Sequence, residues 1–148
     1  MIKVKVIVVS HGSFSKGVVN SVQMLAGEQE DFVAYGLYPE QTVTDLTQQL
    51  EEELKNTSEG KEVIFLSDLF HGSPFNAVVS LMKDYKFSHI TGINIPLTVA
   101  LILERYSGGS AQEICETVLK DAPDTIKDVS KLFDNEEDEE EEEWKILY

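Results

Sequence analysis

Two residues with side chains suited to transfer chemistry each follow an apolar run of the chain. His11 comes shortly after the run from Val4 to Val9, within the tripeptide Ser-His-Gly, and Asp68 comes shortly after the run from Val63 to Leu66. A carboxylate beside an imidazole can accept the proton of one ring nitrogen, fix the tautomer and leave the lone pair of the other nitrogen free. The pair therefore predicts a nucleophilic His11 oriented by Asp68. The alternative is that His11 only satisfies a backbone carbonyl at a strand end.

The segment from Ser67 to Asn76, SDLFHGSPFN, contains the signals that begin a helix. Ser73 is a typical N-cap residue, and Pro74 suits the first helical position because its missing N–H costs nothing there. Free N–H groups at the positive end of the helix dipole bind anions such as oxyanions or phosphoryl oxygens. The predicted anion-binding residues are Gly72, Ser73, Phe75 and Asn76. The alternative is that Ser73 only caps the helix.

The elements that must position these residues are indicated by apolar, β-branched runs that alternate with stretches of helical periodicity. The runs are Val4 to Val9, Phe32 to Leu37, Val63 to Leu66 and His89 to Ile93. Such alternation predicts an α/β fold, an open, mostly parallel, doubly wound sheet of four strands flanked by helices. For its strand order we take the flavodoxin-like 2-1-3-4. In this order the first and third strands are neighbours, and ligands bind at their carboxyl ends. His11 and Asp68 are therefore expected to meet there.

Apolar residues at helical spacing predict the buried faces of the helices. They are Val18, Val22 and Leu25, then Val43, Leu46, Leu50 and Leu54, and finally Ile114, Val118 and Leu119. Gly27 is a predicted helix stop, and capping boxes are predicted at Thr42 with Asp45 and at Ser110 with Glu113. The segment from Asp124 to Phe133 fits either a helix or a late strand, which would add an extra C-terminal strand to the sheet.

The charge of the chain limits its partners. The formal net charge of the 148 residues is -15, and the run from Asp134 to Glu143 contains acidic residues and no basic one. The body without this run is still acidic and would be repelled by a phosphate backbone, so no nucleic-acid partner is expected. We predict one domain over residues 1–133 and an acidic tail over residues 134–148. The tail is expected to be solvated, with docking onto a basic partner as the alternative.

The cysteine content and the N-terminus bear on the compartment. Cys115 is the only cysteine, which argues against a disulfide framework and against paired-cysteine zinc sites. The apolar stretch after Met1 is short and contains Lys3 and Lys5, unlike a signal peptide. We also find no run near the roughly 20 apolar residues that a membrane helix needs. A cytoplasmic protein is therefore expected.

Other types of site have less support in the sequence. The stretch from Gly12 to Gly17 has the glycine spacing of a P-loop, but Val18 and Val19 stand where Lys and Ser or Thr should follow, so a nucleotide site is not predicted. His89, at the start of a strand, is expected to be structural.

A different class of function, metal-dependent hydrolysis, would use side chains at the same place as metal ligands. His11, Asp68 and His71 could hold zinc with an open fourth position, as in a metal-dependent hydrolase, but no paired motif supports this, and no metal is predicted. A module that binds an anion without chemistry is a further alternative.

Three stretches of the chain resemble the IIA component of the mannose-family phosphoenolpyruvate-dependent sugar phosphotransferase system. They are Ser-His-Gly at 10–12, SDLFHGSPFN at 67–76 and GINIP at 92–96. The second stretch is the specific one, and the similarity extends from about Ile2 to Ala122.

The resemblance implies a phosphotransferase with a phosphohistidine intermediate and no cofactor. The carrier protein HPr would phosphorylate His11, which would pass the phosphoryl group to the IIB component for sugar uptake through the membrane components IIC and IID. Asp68 would be the orienting carboxylate and Ser73 a ligand to the phosphoryl oxygens. The resemblance further implies a cytoplasmic homodimer, held at the inner face of the membrane only through the transporter complex. The sugar is not specified.

Two departures from the family pattern affect these expectations. The family usually has glycine where this chain has His71, so a second imidazole would either assist at the site or face solvent. Family members often exchange a C-terminal strand between subunits, whereas this chain has an acidic block after Phe133. A related alternative within phosphotransfer is the IIA-like subunit of dihydroxyacetone kinase, and similar domains also regulate transcription activators.

Overall fold

Parallel strands form the sheet that carries the predicted site. In this computed structural model, which describes residues 2–134 and 144–147, the strands are β1 (Val4–His11), β2 (Phe32–Leu37), β3 (Glu62–Ser67) and β4 (Ser88–Thr91). They pair in the order β2-β1-β3-β4, which confirms the predicted order and the α/β fold class. Because Val9 lies opposite Ser67 in the register, β1 and β3 end side by side.

Helices cover both faces of the sheet. They are α1 (Phe14–Ala26), α2 (Val43–Lys55), α3 (Ser73–Ser80), α4 (Ile95–Glu104), α5 (Ala111–Asp121) and the short α6 (Val129–Leu132). Successive side chains of β1 point to opposite faces. Val6 and Val8 pack against residues of α1, α4 and α5, whereas Ile7 and Val9 pack against residues of α2 and α3. Burial on both faces explains why β1 is an almost continuous apolar run.

The predicted helix boundaries are largely confirmed by capping interactions. Both capping boxes are present, at the start of α2 and at the start of α5. In the second box, hydrogen bonds from Ser110 lower the pKa of Glu113. Gly27 ends α1 with φ at 83° and ψ at 173°, a positive-φ conformation that glycine adopts without a steric penalty.

Three residues predicted to be buried are exposed instead. Leu25, Val43 and Leu119 each lie in a terminal turn of a helix, where the coverage by neighbouring elements ends. The remaining residues of the same stripes are buried or partly buried in the two cores. Helical spacing alone therefore identified the correct faces but extended them too far toward the helix ends.

The strand predicted over His89 to Ile93 is shorter in the structure. It ends at Thr91 because Gly92, with φ at 75°, turns the chain. Asn94 then caps α4 by accepting a hydrogen bond from the N–H of Leu97 at 3.0 Å. The third stretch of the family resemblance is thus a strand end followed by a helix start.

The segment from Asp124 to Phe133 forms helical turns and contains no strand. A 3-10 turn covers Ala122–Thr125, and α6 follows, capped by the side chain of Asp128. The extra C-terminal strand is therefore not formed by this segment, because Pro123, just before it, and Asp128 within it favour helical starts. The acidic run lies almost entirely outside the described residues, so its expected solvation stays a prediction. We find no helix in the described part of the chain that is long and apolar enough to span a membrane.

A buried arginine joins the amino-terminal edge of the sheet to the turn after α4. Arg105 is only 3% exposed, and its guanidinium donates hydrogen bonds to the carbonyl oxygens of Val4, Glu30 and Asp31, each at 3.0 Å. Burial lowers the pKa of Arg105. The residue satisfies backbone acceptors at the edge opposite the predicted site.

Candidate active site

His11 and Asp68 lie in contact at the ends of the two central strands. The Nδ1 atom of His11 is 2.8 Å from Oδ2 of Asp68, and the backbone N–H of His11 donates to the same oxygen at 2.9 Å. The Asp68 side chain is 16% exposed, whereas the imidazole is 51% exposed. The carboxylate is thus largely withdrawn from solvent, and the ring that it holds faces outward.

This contact determines which ring nitrogen of His11 is available for chemistry. An ionised carboxylate only accepts hydrogen bonds, so its partner Nδ1 carries the proton and Nε2 carries the lone pair. The second oxygen of Asp68, Oδ1, is buried without a hydrogen-bond partner among the described residues. In the described part of the chain, His11 therefore supplies all the hydrogen bonds that the Asp68 carboxylate accepts.

Gly72 lies against the edge of the His11 ring. A Cβ atom at this position would be 2.9 Å from Cε1 and 3.6 Å from Nε2 of His11. Carbon atoms pack at about 3.5–4.0 Å, so a side chain would displace the ring. Because the φ of Gly72 is an ordinary -76°, the requirement for glycine here is the close approach and not the backbone conformation.

The N-cap of α3 lies one residue earlier than predicted. Gly72, not Ser73, occupies the N-cap position of α3, because its extended backbone lets its carbonyl accept the first helical hydrogen bond. That bond comes from the N–H of Asn76 at 2.9 Å, so the N–H of Asn76 is not free. This corrects the predicted set of free donors.

Two backbone donors remain available at the start of α3. Among the described residues, the N–H groups of Ser73 and Phe75 have no hydrogen-bond acceptor, and Pro74 between them has no N–H. The hydroxyl of Ser73 is likewise without a partner in the described part of the chain. These groups lie beside Gly72, which contacts His11, and at the positive end of the helix dipole.

The loop after His11 is held by a serine inside the Ser-His-Gly tripeptide and by a glycine on β2 that sequence patterns did not single out. The buried Ser10 hydroxyl accepts a hydrogen bond from the N–H of Ser15 at 2.7 Å and lies 3.2 Å from the carbonyl oxygen of Gly12. On the neighbouring strand, a Cβ atom at Gly36 would be 2.2 Å from that same oxygen. The serine in Ser-His-Gly was visible in the sequence, but the need for glycine at position 36 depends on strand pairing.

His71 stands in a left-handed backbone conformation next to the site. Its φ is 63°, a region that costs a residue with a Cβ atom about 1–2 kcal/mol. The exposed ring contacts Phe70, with centroids 3.8 Å apart, and Phe75, with centroids 5.5 Å apart. The conformation explains why glycine suits this position, and the ring contacts are specific to the histidine.

His89 agrees with its predicted structural role. Its Nε2 atom lies 2.7 Å from the hydroxyl oxygen of Ser67, which also contacts the hydroxyl of Thr91 at 2.8 Å. Burial lowers the pKa of His89 to about 4, so the ring is neutral at ordinary pH. It joins β4 to β3 just before Asp68.

The metal-site alternative finds no support in the arrangement of side chains. Within residues 2–134 and 144–147 there is no group of three His, Cys, Asp or Glu side chains that could hold a metal ion. His11 and Asp68 are in contact, but His71 packs on phenylalanine rings instead of joining them as a third ligand.

Comparison with known proteins identifies the family. A family model described as the fructose IIA component of the phosphotransferase system (PTS) matches residues 5–119. The chain belongs to this family. As a IIA component of the mannose and fructose type, it is classed with the transferases of sugar transport.

Relatives and solved structures of IIA proteins agree with this assignment. The PTS fructose-specific EIIA component of Bacillus subtilis is 29% identical over 100 residues, which cover 67% of this chain and 68% of that protein. The PTS mannose-specific EIIAB component of Escherichia coli K12 is 26% identical over 125 residues, and the match spans only 39% of its length. The crystal structure of the EIIA component from Streptococcus agalactiae superposes with a TM-score of 0.80 at 27% identity, covering 86% of this chain and 98% of that one.

Exposed apolar side chains lie close in sequence to the candidate site residues. Leu69 and Phe70, in the loop between Asp68 and Gly72, are 58% and 61% exposed, and Phe14, three residues after His11 at the start of α1, is also exposed. Exposed apolar side chains beside a polar site are typical of a surface that a protein partner covers.

Proposed function

We propose that this IIA component carries a phosphoryl group on Nε2 of His11, accepting it from phospho-HPr and passing it to a IIB component. The observation that supports this most directly is the 2.8 Å contact between Nδ1 of His11 and Asp68. It leaves the outward nitrogen as the nucleophile and supplies a carboxylate that stabilises positive charge on the ring.

The proposed step exchanges one phosphorus–nitrogen bond for another. The lone pair of Nε2 attacks the phosphorus atom of the donor's phosphohistidine while the bond from phosphorus to the donor ring breaks. The proton on Nδ1 stays in its hydrogen bond to Asp68, and the positive charge that develops on the imidazole lies beside the carboxylate. Transfer between two imidazoles is nearly balanced in energy, so positioning of the reacting groups determines the rate.

The start of α3 is the proposed binding site for the phosphoryl oxygens. The N–H groups of Ser73 and Phe75 and the Ser73 hydroxyl are donors without partners in the described structure. Residues 68–76 contain no lysine or arginine. Neutral donors bind the group without the strong ion pairing that would slow its release to IIB.

The proposed partners are proteins that cover the exposed apolar side chains beside the site. HPr and IIB would dock on Phe14, Leu69 and Phe70, and the net charge of -15 favours partners with a basic face. We also propose a cytoplasmic homodimer that meets IIC and IID only through the transporter complex. If transfer rates proved insensitive to salt, the electrostatic part of this proposal would be wrong.

The test is phosphorylation of the purified chain by phosphoenolpyruvate, enzyme I and HPr, followed by mass spectrometry of the acid-labile phosphopeptide. The chain has three histidines, so each is replaced in turn. We expect His11→Gln to abolish the label and His71→Asn and His89→Gln to retain it on His11 at completion. Asp68→Asn should slow transfer by about 10- to 100-fold. A label on any residue other than His11, or no label on the wild type, would overturn the proposal.

A further inference from the structure

The loop between Asp68 and Gly72 contacts the His11 ring at both of its ends. Asp68 binds Nδ1 at 2.8 Å, and Gly72 lies so close to the ring that a Cβ atom there would be 2.9 Å from Cε1. The geometry of this short loop therefore determines where the imidazole can lie. His71 immediately precedes the contact made by Gly72.

Three rings fix this part of the loop to α3. Phe70, His71 and Phe75 contact one another, with centroid distances of 3.8 Å, 5.2 Å and 5.5 Å, and we call them the ring cluster. Phe75 also contacts His89 on β4, with centroids 5.2 Å apart. The cluster thus connects the loop to the helix that supplies the phosphoryl-binding N–H groups and, beyond it, to the sheet.

His71 is the member of the ring cluster that strains the backbone. A glycine would adopt φ at 63° freely, but it would leave Phe70 and Phe75 without the ring that packs on both. The histidine strains the backbone, and its ring contacts hold the loop in place. Since its contacts are with two phenylalanine rings, the effect requires an aromatic ring at position 71 and not a particular protonation state.

We propose that His71 is a positioning residue for phosphoryl transfer: its ring, packed on Phe70 and Phe75, holds Gly72 against the imidazole of His11. The proposal rests on the function of His11 proposed above. His71 does not contact the phosphoryl group in this scheme. It restricts the position of Nε2 relative to the donors of Ser73 and Phe75, and positioning of this kind governs a nearly balanced transfer.

The test compares three substitutions of His71 in the full chain. His71→Asn suits the left-handed conformation but lacks the ring, His71→Gly removes ring and strain together, and His71→Phe retains a ring. Steady-state transfer from phospho-HPr through this chain to IIB gives kcat and the KM for phospho-HPr, and ¹⁵N spectra of the His11 ring report the Nδ1 proton without any partner. We expect kcat to fall about tenfold in the Asn and Gly variants, with KM unchanged and with faster exchange of the Nδ1 proton. His71→Phe should stay within about twofold of the wild type in kcat.

Several results would overturn the proposal. If His71→Phe were as slow as His71→Asn, the imidazole itself would be required and stacking would be insufficient. If KM changed and kcat did not, His71 would serve docking instead of positioning. If the ¹⁵N spectrum of His11 were the same in all variants, the ring cluster would not control the imidazole. The spectrum keeps this test separate from the proposed function, whose failure would appear as an absence of label on the wild-type chain.

Discussion

Replacing Gly72 with alanine tests the close approach between the site loop and His11, the proposed phosphoacceptor. The added Cβ would be 2.9 Å from Cε1 of His11, about 0.6 Å short of the closest comfortable carbon–carbon distance. If the ring retreats by this amount along its bond to Asp68, the 2.8 Å contact lengthens to roughly 3.4 Å, beyond the range of a normal hydrogen bond. Misplacement of reacting groups by about 1 Å can slow a reaction 100-fold, so we expect transfer to slow by roughly 10- to 100-fold.

The same substitution should leave the fold nearly intact. The φ of Gly72 is -76°, which alanine adopts without strain, and the half-exposed His11 ring can move toward solvent. Alanine also lowers the conformational entropy of the unfolded chain, which offsets part of the destabilisation caused by crowding. The free energy of unfolding should therefore change by less than about 1 kcal/mol. Gly109→Ala is the matched control, because its Cβ would make only ordinary contacts, the nearest at 3.5 Å from the Ser107 hydroxyl.

The assay is the rate of phosphoryl transfer from phospho-HPr, measured together with urea unfolding. Gly72→Ala should be slow and folded, and Gly109→Ala should match the wild type in both measurements. A Gly72→Ala protein that transfers at the wild-type rate would refute the reasoning, because the ring would then tolerate displacement. A rate lost in parallel with stability would point to unfolding and would equally contradict the expected separation.

Three further predictions concern residues that support the site or the fold. Gly36→Ala should destabilise the protein by about 2 kcal/mol and slow transfer, because its Cβ would lie 2.2 Å from the Gly12 carbonyl oxygen, and unchanged urea unfolding would contradict this. Arg105→Ala should cost about 3 kcal/mol in urea unfolding, since it removes buried donors from three carbonyl oxygens, while a loss below 1 kcal/mol would mean that water replaces them. The pKa of His89 falls from 6.5 to about 4 on folding, so between pH 6.5 and pH 4 the unfolded chain binds more protons than the folded one. The contribution of His89 to stability therefore decreases as the pH falls through this range. The unfolding free energy of the wild type relative to His89→Gln should therefore decrease by roughly 2 kcal/mol from pH 6.5 to pH 4, and parallel pH curves would refute this.

The central pair of the site could be predicted because strand ends are visible in the sequence. A buried strand of a parallel sheet is apolar throughout, so the change to a polar residue marks the edge at which ligands bind. The flavodoxin-like strand order then placed the strands that end at His11 and just before Asp68 next to each other. The first step holds for any buried parallel strand, whereas the second depends on the assumed order.

The details around the pair could not be predicted because they depend on single residues or on distant contacts. Ser73 and Gly72 both fit the start of a helix, and a shift of one residue decides whether the N–H of Asn76 is free. Nothing near Gly36 in the sequence indicates that a Cβ atom there would meet the carbonyl oxygen of Gly12, which follows the neighbouring strand β1. The left-handed conformation of His71 is likewise uncommon for a residue with a Cβ atom, so local propensity does not predict it.

His11 and Asp68 are 57 residues apart in the sequence, and a single alignment of β1 with β3 brings them together. A slip of one residue between these strands would move the carboxylate about 3.3 Å along the sheet and reverse the face of each side chain. A misaligned chain could keep all its helices and strands and still hold no paired imidazole. Capacity to accept a phosphoryl group would therefore serve as a quality signal for correct folding: labelling with phospho-HPr would count the molecules whose central strands are in register, which circular dichroism cannot distinguish.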